Sequence, residues 1–286
     1  AMAQTVATGN AQLQLRLDLP VHRMHDAKVD GTVQLAGNDI HFHPDAPAVA
    51  AVSGAVRFSE KGFALQNLKG QAMGGEVLLS GGMDVSRPPA DRLDLRATGL
   101  ATAQGLRQTP QLAPLTQLAQ WADGQARYEL QLAVAHGRAQ IQVNSDMQGL
   151  AWRLPAPLAK PAAEAWPLRF VQRSEGETGQ RERIELDLGA HGAVAYVLAA
   201  GQGGAQAGAG QVLQGAIRVG EGPALPLPAQ GVAARLRLAR LQVDDWLKLA
   251  EALEQAPSAQ ARPQAVAEAP WMDYLPSRWD VELGQL

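Results

Sequence analysis

The chain has no cysteine, few aromatic residues and few charged residues. Among its 286 residues, aromatic side chains make up 5% and charged side chains 19%, the latter below the roughly 25% of an ordinary globular domain. The absence of cysteine excludes disulfides, thiolate nucleophiles and cysteine-based zinc or iron–sulfur sites. A hydrophobic core therefore has to be built mainly from Leu, Val and Ala.

The chain also lacks an excess of positive charge and a long apolar run. Its formal net charge is −3, which gives no electrostatic reason to approach nucleic acid, so we expect no nucleic-acid partner. No apolar run reaches the ~18 to 20 residues of a membrane-spanning helix. The first residues lack the basic-then-apolar pattern of a signal peptide.

Both ends of the chain predict a fragment of a longer protein. Ala1-Met2-Ala3 is typical of a cloning remnant, and residues 279–286 stop within an alternating segment without a closing turn. Because an open strand edge is a template for further pairing, we expect neighbouring β segments of the same protein as partners, or self-association through this edge.

The dominant pattern is alternation of apolar and polar residues, which places alternate side chains on opposite faces of a strand. Leu13, Leu15 and Leu17, for example, alternate with Gln14 and Arg16. One wet face and one dry face are typical of antiparallel sheets, so the predicted fold is mainly β, a long, curved and twisted antiparallel sheet with two short helices. The clearest alternating apolar positions, which we call the apolar rows, are Leu13, Leu15, Leu17, Val56, Phe58, Leu93, Leu95, Leu130, Leu132, Ile141, Val143, Ile184, Leu186, Leu236 and Leu238.

Turns and helices interrupt this alternation. His136-Gly137-Arg138 and Ala190-His191-Gly192 predict hairpin turns. Residues 114–121 space their leucines at helical intervals, and residues 244–255 predict an amphipathic helix with Asp244 as the N-cap. Residues 257–270 are rich in Ala, Pro and Gln and predict a flexible linker, while residues 201–210 predict a mobile hairpin tip. The predicted organisation is a β-rich region over 1–256, a linker over 257–270 and the start of a further β segment over 271–286.

Two sequence motifs resemble a known family. Segments 52–58, 62–68 and 71–81 predict a three-strand meander closed by a kink at Gly74-Gly75, and this meander resembles the repeating unit of the AsmA-like superfamily. Residues 144–161, followed by Trp166-Pro167-Leu168, are similar to the motif S-D-L-x-G-L-x-x-x-L-P-x-P-L-x-K-P … P-L of the YhdP family, with Met147 where Leu is usual. Segments 121–128 and 241–247 resemble two further elements of that family.

The resemblance implies a function as well as a fold. YhdP-like proteins are anchored in the inner membrane of Gram-negative bacteria, project a long β-groove across the periplasm and are thought to carry phospholipid toward the outer membrane. It implies that the apolar rows contact phospholipid acyl chains, and that membranes are contacted through parts of the protein absent from this chain. No catalysis and no cofactor are expected. The alternative is a structural or protein-interaction module of outer-membrane biogenesis, whose dry face is filled by its own helices.

Candidate sites of other kinds are weaker. The only cluster with metal-ligand chemistry combines His22, His25 and Asp26 with His41, His43 and Asp45, but solvent-exposed turn histidines are the default interpretation, so no metal site is expected. No serine lies in a Gly-x-Ser-x-Gly elbow, and Gly74-Gly75 lacks the spacing of a nucleotide loop. Five arginines in strand segments are open to two interpretations. They could contact lipid phosphates at the rim of a groove, or they could simply lie on a solvated outer face. These are Arg92, Arg96, Arg235, Arg237 and Arg240.

Overall fold

The structure is a computed structural model that describes residues 5–18, 28–44, 46–86, 88–89, 92–176, 179–199, 210–240, 244–247 and 274–285. The predicted mainly β fold class is confirmed. The chain divides into two compact units, Ala1–Asp146 and Met147–Leu286, which we call unit 1 and unit 2. The predicted linker over 257–270 and the predicted hairpin tip over 201–209 lie outside the described residues.

Unit 1 is an antiparallel sheet in which the strands lie mostly in chain order. Its described strands are β1 (Val6–Thr8), β2 (Ala11–Asp18), β3 (Lys28–His41), β4 (Val49–Ser59), β5 (Gly62–Ala72), β6 (Gly75–Asp84), β7 (Leu93–Thr102), β8 (Ala122–Ala135) and β9 (Arg138–Ser145). From β3 to β9 each strand pairs with the next, and β1 and β2 pair successively along β3. The pairing is antiparallel throughout, both across the short connections and across the helical connection between β7 and β8.

Unit 2 combines antiparallel and parallel pairing. Its described strands are β10 (Leu150–Trp152), β11 (Leu168–Glu175), β12 (Arg181–Asp187), β13 (Gly192–Ala199), β14 (Val212–Val219), β15 (Gly231–Arg240) and β16 (Arg278–Gln285). Strands β11 to β14 pair antiparallel. The pairs β14–β15 and β15–β16 are parallel, a feature that the antiparallel prediction did not include.

Two short helices lie between β7 and β8. Helix α1 (Ala103–Arg107) begins after Thr102, whose hydroxyl accepts a hydrogen bond from the Gly105 amide at 2.9 Å, as an N-cap does. Helix α2 (Ala113–Leu118) and the 3-10 turn that follows it to Trp121 coincide with the helix predicted over 114–121. Residues 244–247 are also helical, with Asp244 already inside the helix rather than before it. The rest of the segment predicted as helical to residue 255 lies outside the described residues.

The turns show why some strand boundaries were misread. Gly74 does not kink a strand. With Met73 it forms the turn between β5 and β6, and both residues have positive φ, 52° and 80°. His136 and Gly137, with φ of 53° and 69°, form the predicted hairpin turn between β8 and β9. Positive φ at both central residues is the mark of the turn type whose twist matches a two-residue β-hairpin.

Bulges keep the apolar residues on one face where the sequence breaks its alternation. Leu65 and Leu68 are three residues apart, which would place them on opposite faces of a regular strand. A register shift between them brings Leu68 opposite Leu79 while Leu65 stays opposite Gly81. The extra residue is absorbed where Asn67 has a φ of 49°, as in a β-bulge.

The hydrophobic core of unit 1 lies at one end of its strands. Its buried residues are Leu35, Ile40, Val49, Val52, Leu68, Ala72, Val77 and Tyr128. Among the described residues, no helix is long and apolar enough to cross a membrane.

Candidate functional site

The strand register of unit 1 joins the predicted apolar positions into rows that cross the sheet. Directly opposed residues of an antiparallel pair project from the same face. One row consists of the opposed residues Leu13, Val33, Val56, Leu65, Gly81, Leu95, Leu132 and Ile141, from β2 to β9. Each predicted residue of this row is therefore a cross-strand neighbour of another apolar residue or of glycine.

Two further rows run beside the first. One contains Leu15, Gly31, Phe58, Phe63, Met83, Leu93 and Val134. The other contains Leu68, Leu79, Ala97, Leu130 and Val143. All the apolar-row positions predicted in unit 1 thus lie on a single face of its sheet, which we call the apolar face of unit 1.

Burial along this face is uneven. Val52 and Leu68 are almost fully buried, whereas Val56, Leu95 and Leu132 are half-buried. At the β2 edge Leu13, Leu15 and Leu17 are 60%, 50% and 52% exposed. A contiguous apolar surface that stays partly exposed in a folded chain marks a surface with a further use.

Charge is segregated between the two faces of unit 1. None of the described strand positions on the apolar face of β2 to β9 is charged, while the opposite face carries residues such as Arg16, Asp30 and Arg57. Arg57 and Asp30 lie 3.7 Å apart across β3 and β4. The apolar face offers hydrocarbon contact without a polar partner.

Unit 2 also has an apolar face, built from its own rows. Phe170, Leu186, Val194, Ile217, Ala234 and Trp279 are successive partners from β11 to β16. A second row holds Ile184, Tyr196, Gly215 and Val232. Leu236 and Leu238 lie on the same face, opposite Val281 and Leu283. The four apolar-row positions predicted in unit 2 therefore share one face as well.

Comparison with known proteins assigns the family. The family described as "YhdP protein" matches the chain over residues 1–286, its whole length. The chain belongs to the YhdP family. No curated protein and no solved structure matches it.

The Pro-rich YhdP motif, residues 144–161, contains a buried lysine that holds its loop together. Lys160 is 2% exposed, and its Nζ donates hydrogen bonds to the carbonyl oxygens of Met147 and Leu150 at 2.8 Å and of Pro161 at 3.2 Å. A buried ammonium needs such acceptors because desolvation of a charge is costly. Lys160 therefore holds together the two ends of the Pro-rich motif loop, a role that the sequence reading missed although the motif contains the lysine.

A tryptophan ties a second YhdP element to the same loop. The indole Nε1 of Trp246, in the helical segment 244–247, donates to the carbonyl oxygen of Ala156 at 3.0 Å. The two family motifs that are distant in sequence, around residues 156 and 246, are therefore in contact.

The arginines considered for lipid phosphate are largely paired with carboxylates. Arg92 donates to Asp94 at 2.6 Å, Arg235 to Asp280 at 2.8 Å, and Arg237 lies 3.0 Å from Glu282. The bond from Arg92 lowers the pKa of Asp94 below its ordinary value. The side chain of Arg240 lies outside the described residues. These pairings favour the interpretation of Arg92, Arg235 and Arg237 as part of a solvated, ion-paired outer face.

The apolar face of each unit carries one tyrosine, Tyr128, which is buried, and Tyr196, which is half-buried. Burial raises the pKa of Tyr128 to about 12. Burial, followed by the nearby Tyr274, raises the pKa of Tyr196 to about 12, and its hydroxyl donates to the Tyr274 carbonyl oxygen at 2.9 Å. Both phenols are therefore neutral at physiological pH and add no charge to these faces.

The remaining candidates contribute little. His41 ends β3 and His43 follows it, and within the described part of the chain no group of three potential ligands could hold a metal ion; His22 and His25 lie outside the described residues. A hollow of about 510 Å³ beside α1 is lined by Thr102, Arg107 and Asp123. The Arg107 guanidinium there donates to the carbonyl oxygens of Ala119 and Ala122, so it is committed to the fold.

Proposed function

We propose that this chain is a segment of an inner-membrane-anchored periplasmic protein that conducts phospholipids toward the outer membrane, with acyl chains lying on the apolar faces of units 1 and 2. The action is passive partitioning of hydrocarbon rather than chemistry. Membership of the YhdP family supports this proposal. The observation that carries it is the set of uncharged, partly exposed apolar rows that run without a break from β2 to β9.

Dimensions and energetics fit this use. Eight strands at about 4.8 Å spacing make a row of roughly 34 Å, while one leaflet of a bilayer has a hydrocarbon depth of about 15 Å. An acyl chain can therefore lie along a row with length to spare. Burial of each methylene contributes roughly 0.8 kcal/mol, and because every step along a row meets a similar apolar side chain, movement along it meets no large barrier.

A structural role is the second candidate. The buried cluster around Val52, Leu68 and Val77 shows that one end of the apolar face is already filled by protein. A module whose whole apolar face is covered by its own chain would have this feature and would hold no lipid. The two candidates differ in one measurable quantity, the amount of lipid bound by the folded chain.

Extraction of the purified chain with organic solvent, followed by mass spectrometry, measures that quantity. We expect co-purified phospholipid in the wild type and its loss in Leu130→Asp and Leu186→Asp, which place a charge on the apolar face of each unit. Gln131→Asp, on the opposite face of β8, is the matched control and should retain lipid. Circular dichroism confirms that each variant is folded. Absence of lipid from folded wild type would favour the structural module.

The lack of cysteine allows a second, direct measurement. Single cysteines introduced at Leu132 and Gln131 can be labelled with a polarity-sensitive fluorophore. Addition of phospholipid vesicles should shift the emission of the label at residue 132 to shorter wavelength and leave the label at residue 131 unchanged. Equal shifts at both positions would contradict a one-sided lipid track.

A further inference from the structure

The apolar face of unit 2 differs from that of unit 1 by carrying one carboxylate. Glu182 lies on the same face of β12 as Ile184 and Leu186, because the three residues are two apart. It is the one charged residue among the side chains that the structure describes on this face. Its cross-strand partners are Ser174 of β11 and Leu198 of β13.

Buried residues of the neighbouring strands surround Glu182. Leu198 is fully buried, and Gln172 is only 9% exposed. The side-chain amide of Gln172 donates a hydrogen bond to Oε1 of Glu182. The buried, neutral amide of Gln172 thus orients the carboxylate of Glu182 on the apolar face.

Among the side chains that the structure describes, no cation shares this face with Glu182. The nearby arginines Arg173 and Arg183 project from the opposite face, where they pair with Glu175 and Glu185 at 2.6 to 4.0 Å. The charges of that face compensate one another. Within the described part of the chain, Glu182 has a hydrogen-bond donor, Gln172, but no cationic partner.

A lipid on this face would change the energetics of the carboxylate. In the lipid-free chain, water reaches Glu182, which is only partly buried. Hydrocarbon lying over it would displace that water, and an uncompensated carboxylate in an apolar setting is strongly disfavoured. The penalty is removed when the lipid itself supplies a cation, since a charge-assisted hydrogen bond then replaces the lost water.

We infer that Gln172 and Glu182 form a head-group site that accepts the primary ammonium of a zwitterionic phospholipid, with its acyl chains directed along Leu186 and Val194. A phosphatidylglycerol head group carries no cation, and the quaternary ammonium of a phosphatidylcholine has no N–H to donate. The site therefore selects phosphatidylethanolamine. This inference rests on the proposed function, because it requires lipid on the apolar face.

The test uses the full chain and vesicles that contain equal amounts of phosphatidylethanolamine, phosphatidylglycerol and phosphatidylcholine. After incubation and re-isolation, the bound lipids are quantified by mass spectrometry. We expect the wild type to enrich phosphatidylethanolamine over phosphatidylglycerol by roughly five- to tenfold, the ratio that a charge-assisted hydrogen bond supplies. Glu182→Gln should lose the enrichment and keep the same total lipid.

Two further variants make the result specific. Glu185→Gln removes a carboxylate from the opposite face of the same strand and should leave the enrichment unchanged. Glu182→Lys should reverse the preference toward phosphatidylglycerol. Bound lipid without enrichment in the wild type, enrichment that persists in Glu182→Gln, or equal enrichment of phosphatidylcholine would each overturn this site alone. Absence of all lipid from folded wild type would overturn the proposed function as well.

Discussion

Units 1 and 2 use the same alternation of apolar and polar residues in different ways. In unit 1 the strands pair antiparallel in nearly sequential order, and the apolar face carries no charge among its described strand positions. In unit 2 two of the pairings are parallel, a lysine and an arginine are buried, and the apolar face holds a carboxylate. The comparison of the two units shows that period-two alternation defines the faces of a sheet but not the direction in which its strands pair.

The connections between consecutive strands determine whether those strands pair parallel or antiparallel. Strands β8 and β9 are joined by a two-residue turn, which permits only antiparallel pairing. Between β14 and β15 the chain runs through residues 220–230, which include Pro223, Pro226 and Pro228. This segment returns the chain to the other end of the sheet, so β15 enters parallel to β14. A connection of this length permits parallel pairing without requiring it, since the longer connection between β7 and β8 joins an antiparallel pair.

Removal of the buried ammonium in unit 2 should give the largest loss of stability. In Lys160→Met three carbonyl acceptors lose a charged donor while the side-chain volume is nearly kept. We expect the free energy of unfolding to fall by about 3 to 5 kcal/mol. Urea denaturation followed by tryptophan fluorescence reports on this unit, since five of the six tryptophans lie in its sequence. Arg181→Met, at an exposed position of the same unit, is the control, and a loss below 1 kcal/mol in Lys160→Met would refute the role of the ammonium.

A large-to-small substitution should distinguish the filled end of the apolar face in unit 1 from its exposed surface. Leu68 is 1% exposed, so Leu68→Ala should lower the free energy of unfolding by about 2 to 4 kcal/mol through lost contacts and a cavity. Leu78 lies nearby on the opposite face and is 52% exposed, and Leu78→Ala should cost less than about 1 kcal/mol. Chemical denaturation followed by circular dichroism measures both, and equal losses would contradict one-sided burial.

Both units place an aromatic ring over a glycine of the neighbouring strand. A Cβ at Gly31 would lie 2.3 Å from the ring of Phe58, and one at Gly215 would lie 2.5 Å from the ring of Tyr196. Alanine at either site forces the ring to move, at a cost of about 1 to 3 kcal/mol. Because Tyr196 is held by its hydrogen bond to Tyr274 and Phe58 has no such bond, Gly215→Ala should lower the melting temperature more than Gly31→Ala. The reverse order would show that the hydrogen bond does not restrain the ring.

A further expected effect is absent at neutral pH and appears only at high pH. The pKa values of Tyr128 and Tyr196 are raised to about 12, so the folded state holds their protons more tightly than the unfolded chain, with its ordinary value near 10. Their contribution to stability is fully present below pH 10 and is lost as the pH rises toward 12. Ultraviolet absorbance of tyrosinate should appear together with unfolding measured by circular dichroism. Ionisation of all three tyrosines near pH 10 in the folded chain would contradict this expectation.

The two faces of the sheet could be predicted from the sequence because the alternation of apolar and polar residues is a local property. The apolar-row residues of unit 1, such as Leu95 and Leu132, share a face as predicted; whether they contact lipid stays a prediction. The helix α1 was missed because its sequence contains Gly105, a poor helix former. A Cβ at Gly105 would lie 2.0 Å from the backbone of Met73, so the glycine is required by close packing against the turn between β5 and β6 rather than by the helix itself.

Buried polar groups were the other limit of sequence reading. Lys160 and Arg218 look like ordinary surface residues in the sequence, yet both are buried. The guanidinium of Arg218 donates to the carbonyl oxygens of Gly189 and Gly220. The carbonyl oxygens of Gly189, Met147 and Leu150 lie 10 to 29 residues away from the side chains that they accept from, so no local sequence pattern predicts these bonds.

The sequential strand order of unit 1 has a consequence for how such a sheet forms and changes in length. From β3 to β9 each strand pairs with the strands that precede and follow it in the chain. Stability in such an arrangement is close to a sum of nearest-neighbour terms, as in repeat proteins. Pairing can begin at any hairpin and spread outward one strand at a time, and most steps close only a short loop, the helical connection between β7 and β8 being the longest. A gene that gains or loses a hairpin can therefore lengthen or shorten the sheet without disturbing the strands that remain.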